Sequence, residues 1–123
     1  MYAVDTNILI HYANRESNVV KQLERWINEG TPLVVSTIVE AELFSWPKLS
    51  SQDLKNFDDM MTVFTIAPVD SLIARTAASL RQRYRTPLHD TLIAATAFTH
   101  NAPLVTRNTK DFSKIEEIEL IKI

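Results

Sequence analysis

Met1-Tyr2-Ala3-Val4-Asp5-Thr6-Asn7-Ile8-Leu9-Ile10-His11-Tyr12 is the stretch whose reading decides the fold. Tyr2 to Val4 is a short apolar run that reads as a buried strand. It stops at a carboxylate, and Thr6-Asn7 opens a segment with apolar residues at Ile8, Leu9, Ile10 and Tyr12, which reads as a helix. In an open α/β sheet, ligands bind in the crevice outside the carboxyl ends of the strands. An acid at position 5 therefore points into that crevice. Asp5 or Thr6 can equally cap the first helix, since both carry a side-chain oxygen for its orphan N–H groups. Cap and site stand side by side as readings of Asp5.

The pattern of the first dozen residues repeats along the chain. Ser17 to Glu29 places Val19, Val20, Leu23, Trp26 and Ile27 on one helical stripe, with Gly30 suited to a left-handed terminus and Pro32 beyond it. Leu33-Val34-Val35 is a second strand. Ser36 or Thr37 can cap the next helix, Thr37-Ile38-Val39-Glu40 fits a capping box, and that helix extends to about Trp46, before Pro47. A helix from Ser50 or Ser51 carries Leu54, Phe57, Met60 or Met61 and Phe64 along one side. Thr65-Ile66-Ala67 is a third strand, closed by Pro68. Asp70 to about Tyr84 is helical with Leu72, Ile73, Ala77 and Leu80 inward, and Thr86-Pro87 restarts a helix through Phe98. Leu104-Val105-Thr106, a short helix at Lys110–Phe112 and a strand from Leu120 to Ile123 complete the alternation. Strands without a polar face, separated by helices, imply a parallel sheet covered on both sides. The fold expected is a single α/β domain over residues 1–123: a three-layer sandwich around a mostly parallel sheet of about five strands.

Composition narrows the function classes. At 123 residues the chain can bury a real core, and 46% hydrophobic with 23% charged residues is an ordinary globular balance. With no cysteine there is neither a disulfide nor a thiolate metal site, and a reducing cytoplasm is the compartment expected. No basic-then-apolar leader precedes Val4, and no apolar run approaches the roughly 18–20 residues of a membrane span. A net charge of −2 exerts no general pull on nucleic acid, so any such pull is local. A single glycine excludes phosphate-cradling loops of the GxGxxG or Walker type.

Three acids sit where bland explanations are incomplete. Glu42 lies within the helix from Thr37, on a stripe with Ile38 and Trp46; it either snorkels at the edge of the core or faces a site. Asp90 opens the helix His89-Asp90-Thr91-Leu92-Ile93-Ala94-Ala95-Thr96-Ala97-Phe98, apolar or small on nearly every side and therefore central. A first-turn acid favours the helix dipole, which accounts for the start of that helix but not for the burial around Asp90. After the fourth strand, Thr106, Asn108 and Asp111 join the crevice candidates, and they are also ordinary turn residues.

Val4-Asp5-Thr6-Asn7-Ile8-Leu9, Ser36-Thr37 followed by Glu42-Leu43, His89-Asp90-Thr91-Leu92-Ile93-Ala94-Ala95-Thr96-Ala97 and Leu104-Val105-Thr106-Arg107-Asn108 resemble, in order and spacing, the four signature segments of PIN domains, and specifically the VapC-type ribonuclease toxins of toxin–antitoxin pairs. The resemblance covers essentially the whole chain. It implies metal-binding catalytic acids at Asp5, Glu42 and Asp90, with Asp5 the shared ligand. The family's frequent fourth acid falls on Asn108, a departure that leaves either Asp111, three residues on, to stand in through a water or a site of three acids. Thr6, Asn7, Thr106 and Asn108 then orient the acids. The implied activity is hydrolysis of RNA, often structured RNA such as tRNA, by a water activated by Mg²⁺ or Mn²⁺. An all-oxygen donor set with no cysteine suits those hard cations better than zinc. The implied partners are a VapB-type antitoxin and a second copy of the chain, for which Trp46, Leu49 and Phe57 offer an apolar face or form part of the core. Arg75, Arg81, Arg83, Arg85 and Arg107 are candidates for holding the RNA backbone, or form solvated helix faces. Two other classes fit less well. An aspartyl-nucleophile phosphotransfer enzyme wants a second acid where Asn7 stands, and a purely binding PIN-like protein has no need of all three acids.

Overall fold

The computed structural model describes all of residues 1–123 and contains five strands and seven helices. In chain order these are β1 (Tyr2–Val4), α1 (Thr6–Ala13), α2 (Ser17–Asn28), β2 (Leu33–Ser36), α3 (Thr37–Phe44), α4 (Ser51–Met61), β3 (Thr65–Ala67), α5 (Ser71–Tyr84), α6 (Leu88–Thr99), β4 (Leu104–Val105), α7 (Thr109–Phe112) and β5 (Leu120–Ile121). The strands form one sheet in the order β3-β2-β1-β4-β5, and every pairing is parallel. β1 is central, with Ala3 facing Val34 on one side and Leu104 on the other. The chain builds outward from β1 to β2 and β3, then crosses back to lay β4 on the opposite flank. The switch point of the sheet is thus the gap between β1 and β4, where a crevice opens beyond the strands' carboxyl ends.

Hydrophobic burial on both faces holds this arrangement. Val4, Val34, Val35, Leu104 and Val105 are buried in the strands, as expected of a covered parallel sheet. α6 packs on β1 and β2 and against α3 and α5. Its Ala94, Ala95 and Ala97 are small enough for close approach, and its buried Thr91 and Thr96 hydroxyls donate to the Leu88 and Leu92 carbonyls. α1 packs against α2, α3 and α4. Tyr2 stacks on Trp26 at a centroid distance of 4.3 Å, fixing α2 to the sheet. α2 ends as the sequence predicts. Gly30 adopts φ +72°, the Thr31 N–H reaches the Trp26 carbonyl and the Gly30 N–H reaches that of Ile27, the paired bonds of a Schellman terminus.

Several local expectations are corrected. The Thr37–Glu40 capping box does not form. β2 continues through Ser36, so Ser36 becomes the cap and accepts from the Ile38 N–H, while the Thr37 hydroxyl accepts from the Val69 N–H and ties α3 to the segment after β3. The capping box of this chain is Ser50 with Asp53, at the start of α4. α3 stops at Phe44 rather than near Trp46, because Ser45 turns its hydroxyl back to the Glu42 carbonyl. Leu72, expected inward, is 65% exposed: the buried stripe of α5 is Ile73, Ala77 and Leu80, and Leu72 lies one residue off it. β4 and β5 are each two residues long, shorter than their apolar runs suggest. No helix is long and apolar enough to cross a membrane.

Candidate active site

The site assembles at the switch point from the ends of three buried elements. Asp5 follows β1 and is only 5% exposed. It caps a helix and also lines a cavity: its Oδ1 accepts from the Thr6 N–H at 2.7 Å, making it the N-cap of α1. Its Oδ2 turns the other way and accepts from the Thr106 hydroxyl at 2.7 Å and the Asn7 side-chain amide at 3.0 Å. Thr106, fully buried at the end of β4, in turn accepts from the Asn108 N–H at 3.0 Å. The Asn7 Oδ1 accepts from the Arg107 N–H at 3.3 Å. Residues a hundred positions apart thus lock one carboxylate between adjacent strand ends. A carboxylate held by several donors keeps one orientation without needing a flexible loop to supply it.

Glu42 comes from α3, whose entry is set by the Ser36 cap. It is half-buried, and its Oε1 accepts from the Thr6 hydroxyl at 3.0 Å. Asp90, in the first turn of α6, is 7% exposed, and its Oδ1 lies 3.3 Å from Nε2 of the exposed His89. Asp5, Glu42 and Asp90 line one open cavity of about 360 Å³, together with Thr6, Asn7, Asn108, Ile10, Ser45, Trp46 and His89. Sequence reasoning gave no site role to His89 or Ser45. The signal available for His89 was its place beside Asp90 in the first helical turn.

The electrostatics are those of crowded acids. Burial pushes the Asp5 carboxyl above its ordinary range; the Thr106 hydroxyl and the Thr6 N–H pull it down, Glu42 adds to the rise, and His89 opposes it. Asp90 is raised as well, first by burial, with His89 opposing and the charges of Asp5, Asp111 and Glu42 adding to it. Desolvation and like charge both penalise the ionised forms, so the cluster is short of positive charge. No three of its acids and histidines converge into a ready-made metal cage. The donors are nonetheless all oxygens. Mg²⁺ typically takes one or two carboxylates and keeps several waters, so spaced carboxylates around an open cavity fit such an ion. Asn108 contributes a neutral amide to the wall, while Asp111 stands outside it on α7 and acts on Asp90 through its charge.

The arginines are not brought to this cavity. The Arg81 guanidinium donates to the Thr86 carbonyl and that of Arg83 pairs with Glu117. The side chain of Arg107 is held by Glu16 and by the Ile123 carbonyl. Arg75 and Arg85 are exposed and have no carboxylate partner. A second, larger groove of about 560 Å³ is lined by Ile10, Tyr12, Trp46, Leu49, Phe57 and Met60 among others. It shares Ile10 and Trp46 with the acidic cavity. Trp46 is half exposed, whereas Leu49 and Phe57 are partly buried.

Comparison with known proteins agrees with this architecture. Residues 2–118 match the family described as PIN domain. Ribonuclease VapC of Rickettsia bellii is 36% identical, over 98% of this chain and 94% of that protein. Among solved structures, VapBC2 from Rickettsia felis, bound to a DNA fragment from its promoter, superimposes with a TM-score of 0.89 at 27% identity, covering 99% of this chain and 98% of that one. A toxin–antitoxin complex from Klebsiella pneumoniae gives 0.83 at 31% identity, over 98% and 96% of the two chains. A sequence match running from β1 almost to β5, on a backbone shared over its whole length, makes this chain a member of the PIN-domain family, among its VapC-type proteins.

Proposed function

We propose that the protein is a Mg²⁺- or Mn²⁺-dependent endoribonuclease and the toxin of a toxin–antitoxin pair. The observation that carries this reading is the buried Asp5 carboxylate, fixed by three donors and facing Glu42 and Asp90 across one open, cation-deficient cavity. A bound divalent cation would supply charge neutralisation at a phosphodiester and a water acidic enough to react near neutral pH. The chain's own residues do the rest. Asp5, with Asp90 and Glu42 on either side, would hold that cation. Thr6 holds two of the three acids at once, through its N–H to Asp5 and its hydroxyl to Glu42. Asn7 and Thr106 keep Asp5 from rotating. Asn108 leaves the site with three acids in its wall, and the nearby charge of Asp111 stands in part for the fourth. An aspartyl nucleophile fits poorly, because Asn7 stands and donates to Asp5 where that chemistry wants a second acid.

The relatives described as toxin–antitoxin complexes support a VapB-type antitoxin partner for this chain as well. An apolar groove continuous with the acidic cavity is suited to a peptide that lies along α4 and ends at the acids, where an arginine or lysine would meet them. Homodimerisation and a cytoplasmic location complete the reading. Arg75 and Arg85, both exposed and without a carboxylate partner, are the arginines of the candidate set with a charge free for an RNA backbone; Arg81 and Arg83 are already engaged.

The test is cleavage of single-stranded and transfer RNA by purified protein in Mn²⁺, with analysis of the ends. Cleavage that leaves a 3′-hydroxyl, persists more slowly when the cut position is 2′-deoxy, and disappears in Asp5→Asn is the expected result. A 2′,3′-cyclic phosphate product, or a folded protein that cuts no RNA in Mn²⁺, overturns it.

A further inference from the structure

Glu16 occupies the N-cap of α2 but makes no capping hydrogen bond. Glutamate is a poor residue for that place, where serine, threonine, aspartate or asparagine is strongly preferred. Its carboxylate is used elsewhere. Oε1 meets the Arg107 guanidinium at 2.5 Å, and Oε2 meets His11 Nδ1 at 2.6 Å. Arg107 holds the Glu16 carboxyl below its ordinary range, with His11 adding to the effect. Arg15, just before it, adopts a left-handed φ of 60°, and this corner turns the chain from α1 into α2. A local rule broken without local benefit points to a role beyond the element.

That role is read from where Arg107 stands. Its Nε donates to the Ile123 carbonyl at 2.8 Å, so one guanidinium joins the α1–α2 corner to the end of the chain beyond β5. The backbone of Arg107 lies between these anchors and the site. Its N–H donates to Asn7 Oδ1, and the next N–H, that of Asn108, donates to the Thr106 hydroxyl. Asn7 and Thr106 are the two side chains that hold Asp5 Oδ2. The Arg107 side chain is 27% exposed and does not reach the walls of the acidic cavity.

We infer that Arg107 is a positioning residue, not an RNA contact: clamped by Glu16 and Ile123, it sets the loop after β4 so that two backbone N–H groups aim Asn7 and Thr106 at Asp5. The catalytic part of this inference rests on the ribonuclease reading, and the structural part does not. A charge-assisted hydrogen bond is among the stronger links a loop can have. Loss of either partner loosens the aim of Asp5 without removing any group that meets the substrate.

Full-length wild type, Arg107→Gln, Arg107→Lys, Glu16→Gln and the Arg107→Gln/Glu16→Gln double variant are compared by two readouts. The first is kcat and KM on single-stranded RNA in Mn²⁺. Each Gln variant should lose about tenfold in kcat with KM within about twofold of wild type, and the double variant should be no worse than either single, because one link is broken twice. Arg107→Lys keeps the charge and should recover part of the loss. The second readout is amide hydrogen exchange at Arg107 and Asn108. Exchange there should rise about tenfold in the Gln variants, while protection of Val4 and Val35 is kept and reports an intact sheet. A raised KM in Arg107→Gln with unchanged kcat, together with a harmless Glu16→Gln, would make Arg107 an RNA contact and overturn the inference. Unchanged exchange at both amides overturns it too. If a Gln variant does not fold, Arg107→Lys against wild type decides by the same two readouts. If wild type cuts no RNA at all, the ribonuclease reading falls, and the exchange data still decide the clamp.

Discussion

Replacing Asp90 by asparagine separates a helix-stabilising acid from a site acid, because the two roles predict stability changes of opposite sign. Asp90 has two favourable interactions to lose. As a first-turn acid of α6 it gains about 0.3–1 kcal/mol from the helix dipole. Its contact with His89, at 3.3 Å to a side chain that is 55% exposed, adds at most ~1 kcal/mol, as exposed ion pairs do. Against these stand burial and the like charges of Asp5, Asp111 and Glu42. Two like charges about 6 Å apart repel by ~3 kcal/mol at an effective dielectric near 20. Asparagine keeps the shape of the side chain and removes the charge. The net expectation in chelator is a change between zero and ~2 kcal/mol in favour of the variant, which for a chain of this length is a melting temperature unchanged or raised by up to ~8 °C.

The pH dependence has a fixed sign. The Asp90 carboxyl lies above its ordinary value of 3.8 in the folded chain, so the unfolded chain gives up this proton first as pH rises. Wild type without metal should therefore lose stability as pH rises from below 3.8 through the raised value, and Asp90→Asn should lose less over that window. Mn²⁺ reverses the ranking. At about 100 times its dissociation constant a ligand adds ~2.7 kcal/mol to the state that binds it, roughly 10 °C here, and the variant should gain clearly less. Melting curves of both proteins in chelator and in Mn²⁺, at pH 4 and 7, with RNA cleavage alongside, are the assay. A variant that melts below wild type by the same margin with and without Mn²⁺, and still cuts RNA, would refute the reasoning and leave Asp90 as a helix cap.

Thr106→Val removes the hydroxyl that donates to Asp5 and accepts from Asn108, leaving a buried carboxylate oxygen short of one donor; urea denaturation should show a loss of about 1–3 kcal/mol, and cleavage should fall by more than the unfolded fraction explains. Leu43→Ala, at a fully buried position behind Glu42, should cost about 2–5 kcal/mol in the same assay, with residual activity tracking the folded fraction. Leu72→Ala, on the exposed side of α5, should change stability by no more than ~0.5 kcal/mol, and a larger loss would mean that another surface covers it.

What could be read from the sequence follows from how local each cause is. Tyr2–Val4 ended at an acid and gave way to a 3.6-residue pattern, so the strand, the cap and the direction of Asp5 were all set within a dozen residues. The Schellman end of α2 was likewise local, fixed by Gly30. The first errors arose where two neighbouring residues compete for one role. Ser36 and Thr37 are both capping types, and what decides between them is how far β2 pairs with β3, a long-range matter: Ser36 still pairs with Ala67. Leu72 and Ile73 compete in the same way for the buried stripe of α5, one residue being about 100° of helix rotation.

The site divides along the same line. Each of the three acids is conspicuous in the sequence as a carboxylate among apolar residues, but their common role is implied by the resemblance to PIN domains, and the folded chain places them around one cavity. The groups that aim them were harder to see, because their chemistry lies in the backbone. In the sequence Arg107 reads as a charge for RNA or as part of a solvated face; the folded chain shows its guanidinium paired with Glu16, ninety-one positions earlier, while its N–H donates to Asn7. Side-chain type announces a group that reacts; it does not announce a residue whose contribution is where it places its own peptide bond. In a parallel sheet the strand ends that form a site are separated by whole helices, so the links that fix its geometry are necessarily long-range. Asp5 to Thr106, Asn7 to Arg107 and Thr6 to Glu42 each cross between elements that the sequence keeps apart. The precision of the site is therefore a property of the sheet order, with β4 laid against β1, as much as of the residues that line it.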